Sequence, residues 1–395
     1  MYNNKQLEAI TSRDRFIFVN AGAGSGKTTV MIERIRTLLK EGVLPDTILG
    51  LTFSREAATQ MKNRLNNDSV MISTFHSFCY QFIKDKDIFN QIYPFHQELI
   101  LNISLFKNQL RKKPLGFKKY QAYLNKQGLI DYDDMLILFL QRHINLNYEH
   151  ILIDEFQDTN YLQMQVLIKL IGPKTHVFVV GDPDQSIYRF RGAMPSVIHH
   201  YINYFKAKVL TLNQNYRSDI SILEVTNQLI QHNQTRLEKD LISTSPLLGK
   251  VAILMLNSHQ YTNTIIDMIQ TYKYQSYAIL SRTHQALYDI KIDVHEHVSI
   301  FKRDKVSILT LHESKGLEFD VVFIIGIDSH VLPHYLSTSK ESIEEERRLF
   351  YVGITRAKHE LYFIHTHNKQ EKHKNVKLSR FIYEISENKQ FKAIK

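Results

Sequence analysis

The sequence predicts an α/β fold built on parallel sheets, and three observations carry that expectation. Short apolar runs recur at residues 15–20, 48–53, 70–75, 150–153, 176–181, 208–212, 251–256, 277–281, 306–311, 320–327 and 359–365, with helical patterns between them. Many of these runs are rich in Val and Ile without polar alternation, as strands covered on both faces require. The first of them, Phe16-Ile17-Phe18-Val19, leads through a glycine loop into an amphipathic pattern, Val30-Met31, Ile35 and Leu38-Leu39, which Gly42 closes. Strands alternating with helices in this way build doubly wound sheets.

The glycine loop is Ala21-Gly22-Ala23-Gly24-Ser25-Gly26-Lys27-Thr28. Its glycines let backbone N–H groups curl around an anion, and the following helix adds the positive end of its dipole. The pattern G-x-x-x-x-G-K-[ST] is met with Ala21 in its first position, where a small side chain suits the turn. Lys27 reaches β- and γ-phosphates in such a loop, and the Thr28 hydroxyl ligates Mg²⁺. A second run, Ile151-Leu152-Ile153-Asp154-Glu155-Phe156-Gln157-Asp158, reads as a buried strand ending in two carboxylates. Asp154 is placed to hold Mg²⁺, and Glu155 to orient and deprotonate a water aimed at a γ-phosphate. Together the two runs predict that the chain binds and hydrolyses a nucleoside triphosphate.

At 395 residues the chain is long enough for two or three domains. With 43% hydrophobic and 23% charged residues it reads as globular, and its formal charge of +10 suits a polyanionic partner. The single cysteine, Cys79, rules out an internal disulfide and a cysteine-based zinc cluster and points to a reducing compartment. No secretory pattern opens the chain and no apolar run approaches the roughly 20 residues that span a bilayer. The expectation is a cytoplasmic protein with no membrane association. Residues 85–148 interrupt the strand–helix rhythm and read as a short helical insertion. They include a basic tract, Phe106 to Gly128, with seven Lys/Arg and no acid. That tract is either a solvated face or the flank of a nucleic-acid channel.

The rest of the chain resembles the UvrD/Rep family of superfamily 1 helicases, nearly end to end. Asn3-Asn4-Lys5-Gln6 resembles the family's adenine-reading motif, Thr52-Phe53-Ser54-Arg55-Glu56-Ala57-Ala58 its motif Ia, and Ser73-Thr74-Phe75-His76-Ser77 its motif Ib. Asp131-Tyr132-Asp133-Asp134 is similar to the aspartate-rich helix before motif II. Gly181-Asp182-Pro183-Asp184-Gln185-Ser186-Ile187-Tyr188-Arg189-Phe190-Arg191-Gly192-Ala193 resembles motif III, and Asn215-Tyr216-Arg217-Ser218 motif IV. Thr310-Leu311-His312-Glu313-Ser314-Lys315-Gly316-Leu317-Glu318-Phe319 resembles motif V. The run from Glu344 through Gly353-Ile354-Thr355-Arg356-Ala357 resembles motif VI.

The resemblance implies two RecA-like P-loop domains, the first from residues 1–84 and 149–212 and the second from 213–395. It implies ATP and Mg²⁺ as ligands, with Gln6 and Thr29 at the base, Glu318 at the ribose, Tyr216 among the nucleotide-binding residues and Gln185 sensing the γ-phosphate. Arg217 and Arg356 supply charge to the γ-phosphate from the second domain. Phe53, Tyr188 and Phe190 stack bases, with His76, Arg191 and His312 close to the strand. Three departures from the family stand out. Phe190 replaces a frequent Trp, and Thr29 stands where well-known members have Arg. The large insertion before motif V is missing, since that motif follows Ser281-Arg282-Thr283 within about thirty residues.

The implied function is an ATP-dependent translocase and helicase on single-stranded DNA and single/double-strand junctions, with 3′→5′ polarity, acting as a monomer. Two alternatives stand beside it. One is a translocase that displaces proteins or serves a partner such as a nuclease or a replication or defence factor, with little unwinding alone. The other is a non-catalytic, ATP-gated nucleic-acid clamp.

Lys27→Ala is expected to abolish ATP hydrolysis, because the cation that neutralises the β- and γ-phosphates is lost. Glu155→Gln is expected to keep nucleotide binding and lose turnover, since an amide cannot take the proton of the attacking water. Phosphate release and equilibrium nucleotide binding check both.

Overall fold

The computed structural model describes residues 2–83, 87–88, 95–193, 196–234, 236–257, 260–367, 377–386 and 393–394. Their contacts divide the chain into two units, Met1–Ala21 with Gly26–Leu212, and Gly22–Ser25 with Asn213–Lys395.

The first unit is organised on a six-stranded sheet in the order Met71–Thr74, Ile48–Thr52, His150–Ile153, His176–Gly181, Phe16–Ala21, Lys208–Leu212. Every pairing is parallel, with Phe18 opposite Val179 on one side and Val209 on the other. The Phe16–Ala21 and His176–Gly181 strands are buried almost throughout, which explains their unbroken apolar character. One face packs Val30, Met31, Ile35 and Leu38 of helix Lys27–Lys40 against Ile17, Val19 and Val180. That helix ends as its sequence requires: Gly42 takes φ +92°, and Val43 N–H bonds back to Leu38 O at 3.1 Å.

Helices Gln97–Lys107, Phe117–Gln127 and Tyr132–Gln141 fill most of the region expected to be a helical insertion. It also holds a two-residue parallel pair, Asp87–Ile88 with Leu129–Ile130. A small core of Phe95, Ile103, Tyr120 and Leu124 binds the first two helices together. The basic tract is not one solvated face: the Lys107 side chain is 4% exposed and ion-paired to Asp131 and Asp134. Its tip is exposed, with Leu115 fully in solvent.

The second unit has its own six-stranded parallel sheet, in the order Val306–Thr310, Tyr277–Ser281, Phe319–Ile325, Ala357–His367, Lys250–Asn257, Ala393–Ile394. All eleven apolar runs therefore fall on strands of the two sheets. The pair Gln214–Asn215 with Ile242–Ser243 is additional, too short and polar to leave a periodic signal. Between Ser281 and Val306 the chain makes a 3-10 turn, Gln285–Leu287, and helices Tyr288–His297 and Ile300–Arg303. No large insertion stands there.

Helix Lys340–Ile354 buries Arg347, whose guanidinium forks onto Glu384 at 2.7 and 2.8 Å and reaches Asn233 Oδ1 at 2.5 Å. Arg282 forks likewise onto Glu346 of the same helix, at 2.8 to 3.1 Å. Among the described residues, no helix is long and apolar enough to cross a membrane. The Lys-rich stretch 368–395 lies largely outside the described residues.

Phe323 sits at the centre of the second sheet, fully buried and stacked on Tyr362 with ring centroids 5.2 Å apart. Phe323→Ala is expected to destabilise the second unit by about 3–5 kcal/mol, because the surrounding strands cannot collapse into the space. Urea denaturation followed by a probe in that unit measures it.

Candidate functional site

The phosphate loop leaves strand Phe16–Ala21 and enters helix Lys27–Lys40 through Gly26, which takes φ +81° at the helix N-cap. A left-handed residue there turns the chain abruptly and leaves the first-turn N–H groups open toward the loop. Ser25 Oγ closes the loop on Gly22 O at 2.8 Å. A Cβ at Gly26 would stand 3.2 Å from Gln6 Nε2, so the predicted base-reading amide packs directly on the loop. Gln6 is held by a capping box: Asn3 Oδ1 accepts from Gln6 N at 2.8 Å, and Gln6 Oε1 accepts from Asn3 N at 3.1 Å. Thr29 accepts a hydrogen bond from the Arg64 guanidinium at 2.8 Å.

Thr28 Oγ1 donates to Asp154 Oδ2 at 3.0 Å, which joins the two predicted Mg²⁺ ligands across 126 positions of sequence. Burial, and then the charge of Glu155, push the Asp154 carboxyl up to about 6, against the pull of Lys27 and the Thr28 hydrogen bond. A hydroxyl oxygen beside a buried carboxyl, both hard donors, suits a divalent cation such as Mg²⁺.

Glu155 takes φ +52°, uncommon for a residue with a side chain. Gln157 Nε2 donates to Glu155 Oε2, and Gln157 Oε1 accepts from Asp182 N at 2.9 Å. Asp182 Oδ2 in turn accepts from Gln185 Nε2 at 2.6 Å. One hydrogen-bonded path thus runs from Glu155 to Gln185 through Gln157 and Asp182. Gly181 leaves room for it, since a Cβ there would lie 2.6 Å from Gln157 Oε1 and displace that amide.

On the same unit, Phe53 stacks on Tyr188 with centroids 5.3 Å apart and planes 13° apart, and Tyr188 meets Phe190 at 6.1 Å. Phe53 and Phe190 are 38% and 45% exposed, high for rings of this size. Beside the stack lies a pocket of about 290 Å³. Phe53, His76, Tyr132 and Tyr188 form its aromatic lining, and Asp133 and Asn160 are among its polar groups. His76 meets Tyr132 edge-on at 5.6 Å, and burial pushes its pKa down to about 4, which keeps the imidazole neutral at pH 7. Phe53, His76 and Tyr188 are therefore brought together. Phe190 adjoins them, and the Arg191 side chain lies outside the described residues.

In the second unit, Arg217 Nε donates to Glu318 Oε2 at 2.9 Å and its Nη1 to Thr355 O at 3.0 Å. Arg356 is buried, with Nε on Val352 O at 2.8 Å, Nη1 on Leu317 O at 3.1 Å and Nη2 on Thr355 Oγ1 at 3.0 Å. Both arginines thus converge on Thr355. Lys358 Nζ reaches Glu318 Oε1 at 2.9 Å. Burial raises the Glu318 carboxyl, but Lys358 and Arg217 together outweigh it and hold the pKa below the ordinary value. Tyr216 is half exposed, its hydroxyl on Gln214 Oε1 at 3.2 Å. His312 lies in the turn after strand Val306–Thr310, where Glu313 accepts from Thr310 N and Oγ1 at 2.8 and 2.9 Å.

Sequence reasoning did not assign Tyr132, Asp133, Asn160 or Gln157 to a site. The acidic run Asp131–Asp134 and the Gln within Asp154–Asp158 were the available signals, and each is equally common as an ordinary helix start or loop.

A family profile described as a UvrD-like helicase C-terminal domain matches residues 287–368, and one described as an AAA domain matches residues 6–191. A probable DNA helicase of Mycoplasma pneumoniae is 29% identical, over 92% of this chain and 83% of its own length. A probable DNA helicase II homolog of Mycoplasma capricolum subsp. capricolum is 32% identical, over 71% of this chain and 49% of its own. The ATP-dependent DNA helicase PcrA of Staphylococcus epidermidis is 32% identical, over 71% of this chain and 48% of its own. The chain spans about half the length of these last two relatives.

Burial is the main cause that pushes the Asp133 carboxyl up to about 6 from its ordinary 3.8. The folded protein therefore holds that proton more tightly than the unfolded chain, and stability falls as pH rises from about 4 through about 6. Asp133→Asn is expected to remove this loss and leave the variant on the order of 2 kcal/mol more stable than wild type above pH 7. Denaturation midpoints between pH 4 and 8 check the sign.

Proposed function

The chain belongs to the UvrD/Rep family of helicases, and on that premise we propose that it is an ATP-driven motor on single-stranded DNA, a 3′→5′ translocase and helicase. The observation that carries the reading is the meeting, in the first unit, of the Thr28–Asp154 pair, where the phosphate loop enters its helix, with an exposed aromatic stack beside a pocket.

Phosphoryl transfer is catalysed chiefly by positioning and charge neutralisation. The loop N–H groups and Lys27 hold the phosphates, and Gln6 reads adenine, with Thr29 beside it, Glu318 at the ribose and Tyr216 among the groups that hold the nucleotide. Thr28 and Asp154 would hold Mg²⁺, which when bound neutralises charge on the β- and γ-phosphates. Glu155 takes the proton of the attacking water, and the path through Gln157 and Asp182 ties it to Gln185, the γ-phosphate sensor. Arg217 and Arg356 add positive charge where the transition state builds negative charge.

Single strands are gripped by stacking, each base contributing roughly 1–3 kcal/mol. Phe53, Tyr188 and Phe190 do this work, with His76, Arg191 and His312 beside the strand. The short connection between Ser281 and Val306 supports a second feature of the reading: little surface for duplex, and so unwinding of short duplexes alone and of longer ones with a partner.

The function is tested by phosphate release with and without single-stranded DNA, and by single-turnover unwinding of 3′- and 5′-tailed duplexes of increasing length. Hydrolysis indifferent to DNA overturns the motor, and preference for a 5′ tail overturns the polarity. Within the same assay, Arg217→Ala is expected to lower turnover at least about a hundredfold with a smaller change in nucleotide affinity. Phe190→Ala is expected to weaken strand binding about tenfold and leave basal hydrolysis intact.

A further inference from the structure

Lys107 and Asn108, the last residue of helix Gln97–Lys107 and its cap, hold all three aspartates of the acidic run. Lys107 Nζ lies 2.6 Å from Asp131 Oδ2 and 2.6 Å from Asp134 Oδ1, and its side chain is almost wholly buried. Tyr120, from the next helix of the insertion, donates its hydroxyl to Asp131 Oδ2 at 3.0 Å. Gln121 Nε2 reaches Asp134 Oδ2 at 3.3 Å. Asn108 Nδ2 donates to Asp133 Oδ1 at 2.9 Å, and Asn108 Oδ1 accepts from Leu162 N at 3.3 Å.

The segment so held is the N-terminus of helix Tyr132–Gln141, with Asp131 as its N-cap accepting from Asp134 N at 2.8 Å. Its first two residues, Tyr132 and Asp133, both line the aromatic pocket beside the Phe53–Tyr188 stack. Helix Gln97–Lys107 thus meets the pocket in two ways, directly through Ser104 and through the buried cation that holds the turn bearing Tyr132 and Asp133. Two carboxylates three residues apart, both shielded from water, repel each other unless a cation stands between them. Lys107 is that cation among the described residues, and without it the first turn has to move or the carboxyls must take up protons.

We propose that Lys107 is a positioning residue for the strand-binding pocket: by neutralising Asp131 and Asp134 it fixes the turn that presents Tyr132 and Asp133, and so couples the helical insertion to the grip on single-stranded DNA. The inference rests on the reading of the pocket as a strand site. It assigns the insertion a part in strand affinity and none in the phosphate chemistry, which draws on Lys27, Asp154 and Glu155.

The test compares Lys107→Met with the triple variant Lys107→Met/Asp131→Asn/Asp134→Asn, using an oligo-dT strand as probe. The single variant is expected to raise the strand concentration at half-maximal stimulation of ATP hydrolysis about tenfold, with basal and saturated rates within about twofold of wild type. The triple variant, in which Asp131 and Asp134 no longer carry the charges that Lys107 balances, is expected to return within about threefold of wild type. Wild-type behaviour in the single variant overturns the proposal. So does a parallel loss of basal rate, saturated rate and thermal stability, which marks a purely structural residue, and so does a triple variant no better than the single. If the single variant does not fold, the triple variant decides alone: strand affinity within about threefold of wild type supports the proposal, and a tenfold loss overturns it. Wild-type protein that does not bind the strand overturns the reading of the pocket itself, a result distinct from all of these.

Discussion

A parallel sheet points every strand the same way, so all of its strand exits lie along one edge, and groups that must act together are gathered there without any one loop being long. In the first unit Ala21 exits into the phosphate loop, Thr52 into Phe53, Thr74 into the turn bearing His76, Ile153 into Asp154 and Glu155, and Gly181 into the segment that carries Gln185 and Tyr188. The second unit repeats the rule: Ser281 exits into Arg282, and Thr310 into the turn with His312. Burial of both sheet faces is what makes the arrangement rigid. It also leaves the polar chemistry nowhere else to go.

Charge at this edge is distributed unevenly. Asp154 is buried, and its burial and the charge of Glu155 outweigh the pull of Lys27 and Thr28 and raise its carboxyl. The second unit is the opposite case: Glu318 sits between Arg217 and Lys358, and its carboxyl is held ionised. Arg356 gives donors to Val352 O near the end of helix Lys340–Ile354, to Leu317 O in the turn after strand Val306–Thr310 and to Thr355 Oγ1, so its guanidinium is already oriented. Oriented donors cost little reorganisation when charge develops beside them.

The helical insertion contributes by support more than by surface. Its exposed Leu115 tip and lysines are what composition makes conspicuous, but its firmest links are Lys107 and Asn108, buried and directed at the acidic turn under the aromatic pocket. A lysine in a basic tract and a lysine in an ion-pair node are the same letter, and only the neighbours distinguish them.

The local pattern was sufficient for the strands and for the phosphate loop. Unbroken apolar runs, the Gly26-Lys27-Thr28 turn and the Asp154-Glu155 strand end are short-range features, set by backbone sterics and by burial of both sheet faces, and a sequence carries them openly. The two-residue pairing of Gln214–Asn215 with Ile242–Ser243 was illegible because nothing so short and polar has a period. The pocket was illegible for a different reason. Tyr132 and Asp133 meet Phe53, His76 and Tyr188 from positions scattered over more than 130 residues, and Gln157 links Glu155 to Gln185 only because Gly181 leaves room. Aromatic and acidic residues look alike whether they fill a core, cap a helix or line a site. The sequence alone determined which residue types were present, which backbone each run would adopt and that a triphosphate would be held. Which side chains share a pocket, and which charges lie buried against one another, was decided by tertiary packing, because proximity between distant positions exists only once the sheet has gathered its strand ends.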